Sequence, residues 1–124
     1  MHTVVLVSPR VEQWQEFAAA LEAGGRFAAV SVRSAEEALA AARDDSPVAM
    51  VVDSDLGEMA GVELVTRLLS VNAMINVALA SDLPPENFHE DTEGLGLLMQ
   101  LSPLPTSAEA GGLVDRLRQL TGDI

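Results

Sequence analysis

Apolar and polar residues alternate along the chain in blocks that predict strands followed by helices. Five short apolar runs are typical of buried parallel strands. They cover residues 3–7, 27–32, 48–52, 75–80 and 97–101. Between them, apolar residues recur at every third or fourth position, as at Val11, Trp14 and Phe17, which predicts helices with one buried face. The pattern therefore predicts five β-α units.

Polar residues mark where several of these helices begin. Ser34 with Glu37, and Thr106 with Glu109, have the three-residue spacing of a capping box, in which the two side chains satisfy free amides of the first turn. Ser8 and Pro9 follow the first apolar run, and this pair favours a helix that begins there with Ser8 as its N-cap. The segment 86–93 is polar and only weakly helical.

Strictly alternating strands and helices predict an α/β fold, a parallel sheet covered by helices on both faces. We expect one domain over residues 1–124, a (βα)5 three-layer sandwich with the flavodoxin-like strand order 2-1-3-4-5. The strand order reverses between strands 1 and 3, and ligands bind at such points. This places Ser8, Pro9 and Arg10 across a crevice from Asp53 and Asp55.

Asp53 is the most informative single residue, because it ends the apolar run Val48–Val52. A carboxylate at the end of a buried strand is costly unless it has partners. It also lies at the carboxyl edge of the predicted sheet, where sites of this fold are found. Asp53 is therefore the centre of the predicted site.

Composition narrows the classes of function. The chain has 19 acidic and 7 basic residues and a net charge of −12, which argues against binding to nucleic acid or to an anionic membrane. No apolar run has the length of a membrane span, and no signal-peptide pattern begins the chain, so we expect a cytoplasmic protein. All the basic residues are arginines, and cysteine is absent.

Residues 53–64 resemble the phosphorylation loop of a bacterial response-regulator receiver domain of the CheY-like kind. Four residues keep that family's pattern: Met59, Gly61, Glu63 and Leu64. Gly57 stands where proline is usual, and Ala60 where aspartate is usual. The resemblance extends over the whole chain in the order of its elements.

The resemblance implies roles for particular residues, and also shows which are missing. Asp53 matches the phosphoacceptor, and Ser81 matches the residue that senses the phosphoryl group. Ser8 and Pro9 replace the acid pair that holds Mg²⁺ in the family, and Ser102 replaces its lysine. An anionic nucleophile needs a cation to approach phosphate, so these replacements remove support from the reaction.

Other residues are candidates to complete the site. We expect Ser8, Arg10, Asp55 and Ser102 to line the pocket around Asp53. Mg²⁺ is the cofactor that the resemblance implies, with Asp53 and Asp55 as its possible ligands. Arg10 supports a sharper hypothesis: its guanidinium forms a salt bridge with Asp53 or Asp55 and replaces the cation. The alternative is an exposed arginine at the start of a helix.

Two further features leave alternatives open. The peptide bond between Ser102 and Pro103 is cis if it follows the family, and trans by the general preference of proline. No glycine-rich phosphate loop, nucleophilic serine motif or cysteine nucleophile is present, so we expect no enzyme activity beyond acceptance of a phosphoryl group.

The sequence therefore supports two hypotheses. In the first, the chain is a receiver domain of two-component or phosphorelay signalling that is phosphorylated on Asp53. Its partner is then a histidine kinase or a phosphotransfer protein. In the second, it is a pseudo-receiver, a protein interaction module that works without phosphate and binds another signalling protein. A homodimer is compatible with both.

Overall fold

The computed structural model describes residues 2–122. Its strands are β1 (His2–Val7), β2 (Phe27–Val32), β3 (Ala49–Asp53), β4 (Asn76–Ala80) and β5 (Met99–Leu101). Its α-helices are α1 (Gln15–Glu22), α2 (Ala35–Asp44), α3 (Gly61–Val71), α4 (Pro85–Asp91) and α5 (Ser107–Thr121). A short 3₁₀ helix, Val11–Trp14, precedes α1.

The strands form one parallel sheet in the order β2-β1-β3-β4-β5, as predicted. The flavodoxin-like arrangement is therefore confirmed. Val7 pairs with Val52, and Asp53 pairs with Ala80. Because β1 and β3 are neighbours in the sheet, the loops that follow them meet at its carboxyl edge.

Two apolar layers cover the sheet, one on each face. Side chains of α2, α3 and α4 pack on one face with alternate strand residues such as Val5 and Val52. Side chains of α1 and α5 pack on the other with residues such as Leu6 and Val51. Trp14 is fully buried in this second layer. Period-two alternation along strands with two covered faces explains why their apolar runs are continuous.

The capping predictions are partly confirmed. The hydroxyls of Ser34 and Thr106 accept the amides of Glu37 and Glu109, and the second pair forms a complete capping box. The predicted helix start at Ser8 is wrong. The regular structure there begins at Val11 as a 3₁₀ helix without a side-chain cap, because Ser8 lies three residues before it and its oxygen accepts the Arg10 amide instead.

Other boundaries differ by a few residues. β5 has only three residues, Met99–Leu101, and the polar segment forms the short α4. Residues 2–122 contain no cis peptide bond, so the bond before Pro103 is trans. Within that range, no helix has both the length and the apolar character needed to cross a membrane.

Candidate functional site

The carboxyl ends of β1 and β3 border an open cavity of about 380 Å³. Its lining residues are Pro9, Arg10, Asp53, Ser54, Asp55 and Gly57. The cavity lies at the reversal of strand order, where the sequence predicts a site. Two of the four residues predicted to line it, Arg10 and Asp55, are among its walls.

The carboxylate of Asp53 lies at the base of this cavity and is only 1% exposed. Its Oδ2 accepts the Ser8 hydroxyl at 2.7 Å and Arg10 Nε at 3.2 Å. Its Oδ1 accepts the backbone amide of Asp55 at 3.3 Å. Both oxygens therefore have donors, which offsets the cost of burying the charge.

Arg10 forms the predicted salt bridge, and its partner is Asp53. The guanidinium also extends to the backbone carbonyl of Pro103, with an Nη2–O distance of 3.5 Å. The side chain is 41% exposed, so its outer part faces the cavity and solvent. The positively charged guanidinium of Arg10 thus lies beside the Asp53 carboxylate at the base of the cavity.

Ser8 is fully buried and connects the Asp53 carboxylate to the Arg10 backbone. While its hydroxyl donates to Asp53, its oxygen accepts the Arg10 backbone amide at 3.0 Å. The interpretation of Ser8 as a helix cap is therefore corrected. The Ser8 oxygen meets an amide that precedes the helical residues, so it caps no helix. Ser8 does not line the cavity, in contrast to the prediction, and instead holds the Asp53 carboxylate.

Asp55 is exposed, and its side chain contacts its own loop rather than Asp53. Its Oδ1 accepts the amide of Gly57 at 2.9 Å, and Gly57 has a positive φ of 81°. This is the local turn that aspartate commonly forms with the backbone two residues on. The contribution of Asp55 to Asp53 comes from its backbone amide.

Ser81 and Ser102 do not join the cavity walls. Ser81 directly follows β4 and is 6% exposed, and its oxygen accepts the amide of Leu83 at 3.2 Å. The Ser102 hydroxyl donates to Glu109 Oε1 at 2.5 Å. The prediction that Ser102 lines the pocket is therefore corrected, because the carboxylate of α5 attracts its hydroxyl.

Glu109 is a residue whose full role the sequence did not indicate. Its carboxylate also accepts the amides of Ser102 at 2.9 Å and Thr106 at 3.0 Å. Burial raises the pKa of the Glu109 carboxyl, but the hydrogen bonds from Ser102 and Thr106 outweigh burial and hold that pKa below its ordinary value. The capping-box spacing indicated the Thr106 contact, whereas the Ser102 contacts depend on the path of the loop.

The donor set does not fit Mg²⁺. Within residues 2–122, no group of three or more His, Asp or Glu side chains is placed to hold a metal ion. Asp53 Oδ2 already has two donors, and Asp55 Oδ1 is used by Gly57. The Arg10 guanidinium, 3.2 Å from Asp53, would repel a divalent cation there.

The fold defines a class of protein, because it is the fold of CheY-like receiver domains. No protein-family model matches the sequence, and no curated protein matches it either. Solved structures of receiver domains match the whole chain at low sequence identity.

Three solved structures illustrate the similarity. A CheY-like response regulator receiver domain protein from Methanospirillum hungatei has a TM-score of 0.84 and 13% identity, over 100% of this chain and 99% of that one. The chemotaxis response regulator CheY4 of Vibrio cholerae has 0.80 and 18%, over 94% and 98%. A two-component response regulator of the LuxR family from Aurantimonas has 0.78 and 17%, over 91% and 81%.

Proposed function

We propose that this chain is a receiver-like signalling module that acts by binding another signalling protein, with Asp53 held in an ion pair with Arg10. It is then a pseudo-receiver, with no catalytic activity and no resident Mg²⁺. The observation that carries the proposal is the contact of Asp53 Oδ2 with both the Ser8 hydroxyl and Arg10 Nε.

The physical argument concerns the nucleophile. Attack on phosphorus needs a free carboxylate oxygen and a cation that binds the incoming phosphoryl group. Here Oδ2 has two donors and Oδ1 has the Asp55 amide. The nearby cation is already neutralised by Asp53 itself. Asp53, at the position of a receiver's reactive aspartate, thus forms a structural ion pair with Arg10.

A second candidate function is phosphorylation of Asp53 without metal, in a two-component or phosphorelay pathway. The observation that favours it is the open cavity in front of the Arg10 side chain, which is 41% exposed. A guanidinium binds phosphate oxygens in a bidentate manner. Arg10 would then turn from Asp53 to the phosphoryl group, and a histidine kinase or phosphotransfer protein would be the donor.

Intact mass measured after incubation with acetyl phosphate or phosphoramidate separates the two functions. We expect no phosphoryl-sized mass increase at any Mg²⁺ concentration, because the guanidinium beside Asp53 is already paired with it and does not bind an incoming phosphoryl group. An increase that is lost in Asp53→Asn and kept in Asp55→Asn would overturn the proposal and support the second candidate. Asp55→Asn is the matched control, because Asp55 is an exposed carboxylate in the same loop.

A further inference from the structure

The loop between β5 and α5, residues 102–106, is attached to the first helical segment by one carbonyl. Pro103 O accepts Trp14 Nε1 at 3.1 Å and Arg10 Nη2 at 3.5 Å. Trp14 is fully buried, so its indole N–H depends on this acceptor. The position of Pro103 is therefore set by two donors that precede α1.

The same loop is attached to α5 from its other side. Glu109 accepts the hydroxyl and amide of Ser102 and the amide of Thr106. These bonds make the start and the end of the loop move together with the first turn of α5. The loop is thus fixed to α5 at both ends, and Pro103 lies between these two points with its carbonyl on Trp14 and Arg10.

Arg10 is the only side chain in residues 2–122 that donates to both Asp53 and this loop. Its bond to the carboxylate is shorter, 3.2 Å against 3.5 Å, and charge-assisted. The negative charge of Asp53 therefore determines where the guanidinium lies. The long bond to Pro103 follows from that placement.

We propose that Arg10 couples the charge of Asp53 to the β5-α5 loop. While Asp53 is charged, it holds the guanidinium beside Pro103, and the Pro103 carbonyl keeps its hydrogen bond from Trp14 Nε1. Loss of that charge, or a partner's carboxylate or phosphate that draws Arg10 away, weakens the contact between Pro103 and Trp14. The inference rests on the ion pair of the proposed function, and it supplies a regulation of the same site.

Trp14 allows a direct test because it is the only tryptophan in the chain. The exchange rate of its indole N–H, measured by NMR relative to the backbone amides of β3, separates opening at the bond to Pro103 from unfolding of the whole chain. We expect Asp53→Asn and Arg10→Gln each to accelerate that exchange by about threefold or more, the effect of losing a modest hydrogen bond. The double variant should exchange no faster than either single variant, since both break one pathway.

Two further variants keep the test decisive. Arg67→Gln removes another Arg–carboxylate pair, on the exposed face of α3, and should leave the Trp14 exchange unchanged. Arg10→Lys keeps the charge but lacks the fork that contacts two acceptors, so it should accelerate exchange while leaving the overall fold intact. Because Arg10 is partly exposed, both Arg10 variants are expected to fold, as circular dichroism would verify.

The coupling is refuted if Asp53→Asn and Arg10→Gln leave Trp14 exchange at the level of Arg67→Gln. It is also refuted if the effects of the two variants add in the double variant. The experiment uses no phosphoryl donor, so its failure differs from failure of the proposed function. If the wild type is phosphorylated and the Asp53 and Arg10 variants still accelerate Trp14 exchange, the pseudo-receiver function is rejected. The coupling through Arg10 is then retained.

Discussion

The buried carboxylate of Asp53 illustrates how one residue determines the chemistry of its neighbours. Ser8 contributes the shortest bond to it, at 2.7 Å, and is itself fully buried. The same serine oxygen holds the Arg10 amide and thereby places the backbone from which the guanidinium extends. In residues 2–122, no buried side-chain nitrogen or oxygen lacks a partner, and removing Ser8 would leave Asp53 Oδ2 with Arg10 Nε as its remaining donor.

Ser8→Ala is expected to lower the free energy of unfolding by about 1–3 kcal/mol, because it removes the shortest bond to the buried carboxylate and leaves the Arg10 backbone amide unpaired. The cost should be smaller in an Asp53→Asn background, where the acceptor is uncharged. Urea unfolding of both single variants and the double variant measures this coupling. Ser107→Ala, at an exposed position, should change stability by less than about 0.5 kcal/mol. Additive losses would contradict a direct bond between Ser8 and Asp53.

At the scale of elements, the start of α3 determines how Asp53 is presented. Gly61 is buried, and its amide donates to Ser54 O at 2.8 Å. A Cβ atom at Gly61 would overlap the backbone carbonyl of Asp53. The helix can therefore approach the end of β3 only because this residue has no side chain. Gly111, inside α5, shows the opposite case, since a Cβ there has no atom within 4 Å.

These two glycines predict opposite effects of the same substitution. Gly61→Ala should destabilise the chain by about 1–3 kcal/mol, since backbone must move to make room. Gly111→Ala should stabilise it by about 0.5–1 kcal/mol, because alanine favours a helix interior. Urea midpoints of the two variants against the wild type test both. A stabilising Gly61→Ala would show that α3 does not need this close approach to β3.

The elements also show how far sequence reasoning extends. The apolar runs located all five strands, and their alternation with helices predicted the sheet order that the structure has. β5 was overestimated, because Leu97 and Leu98 are apolar without pairing as a strand. The helix start at Ser8 was wrong because the Ser8 oxygen accepts the Arg10 amide, and the first helical residue comes only at Val11.

At the scale of the whole molecule, the net charge of −12 opposes compaction. Eight carboxylates in residues 2–122 accept hydrogen bonds or form salt bridges that offset this. Glu109 is one of them, and its hydrogen bonds keep its pKa below the ordinary value of 4.5. A carboxyl with a lowered folded-state pKa stabilises the fold above its unfolded pKa. That contribution is lost as the pH falls through the folded value.

The wild type should therefore be more stable than Glu109→Gln at neutral pH, and the difference should shrink as the pH falls below 4.5. Charge repulsion over the whole chain is nearly the same in both proteins, so the difference isolates Glu109. Urea unfolding across this pH range measures it. Glu93→Gln, at an exposed position, removes the same charge elsewhere and serves as the control for net charge. A constant gap between wild type and Glu109→Gln would contradict the role of the ionised carboxylate.

The sequence by itself determined the α/β class, the sheet order and the place of Asp53, because periodicity and strand ends are local properties. It also led to the salt bridge with Arg10, since neighbouring strands bring their loops together. Only the tertiary structure decided that Ser8 serves Asp53, that Ser102 turns to Glu109, and that Pro103 receives Trp14 from 89 residues away. In each case several acceptors are available to one donor. Which of them it bonds depends on the groups that folding brings within about 3 Å of it.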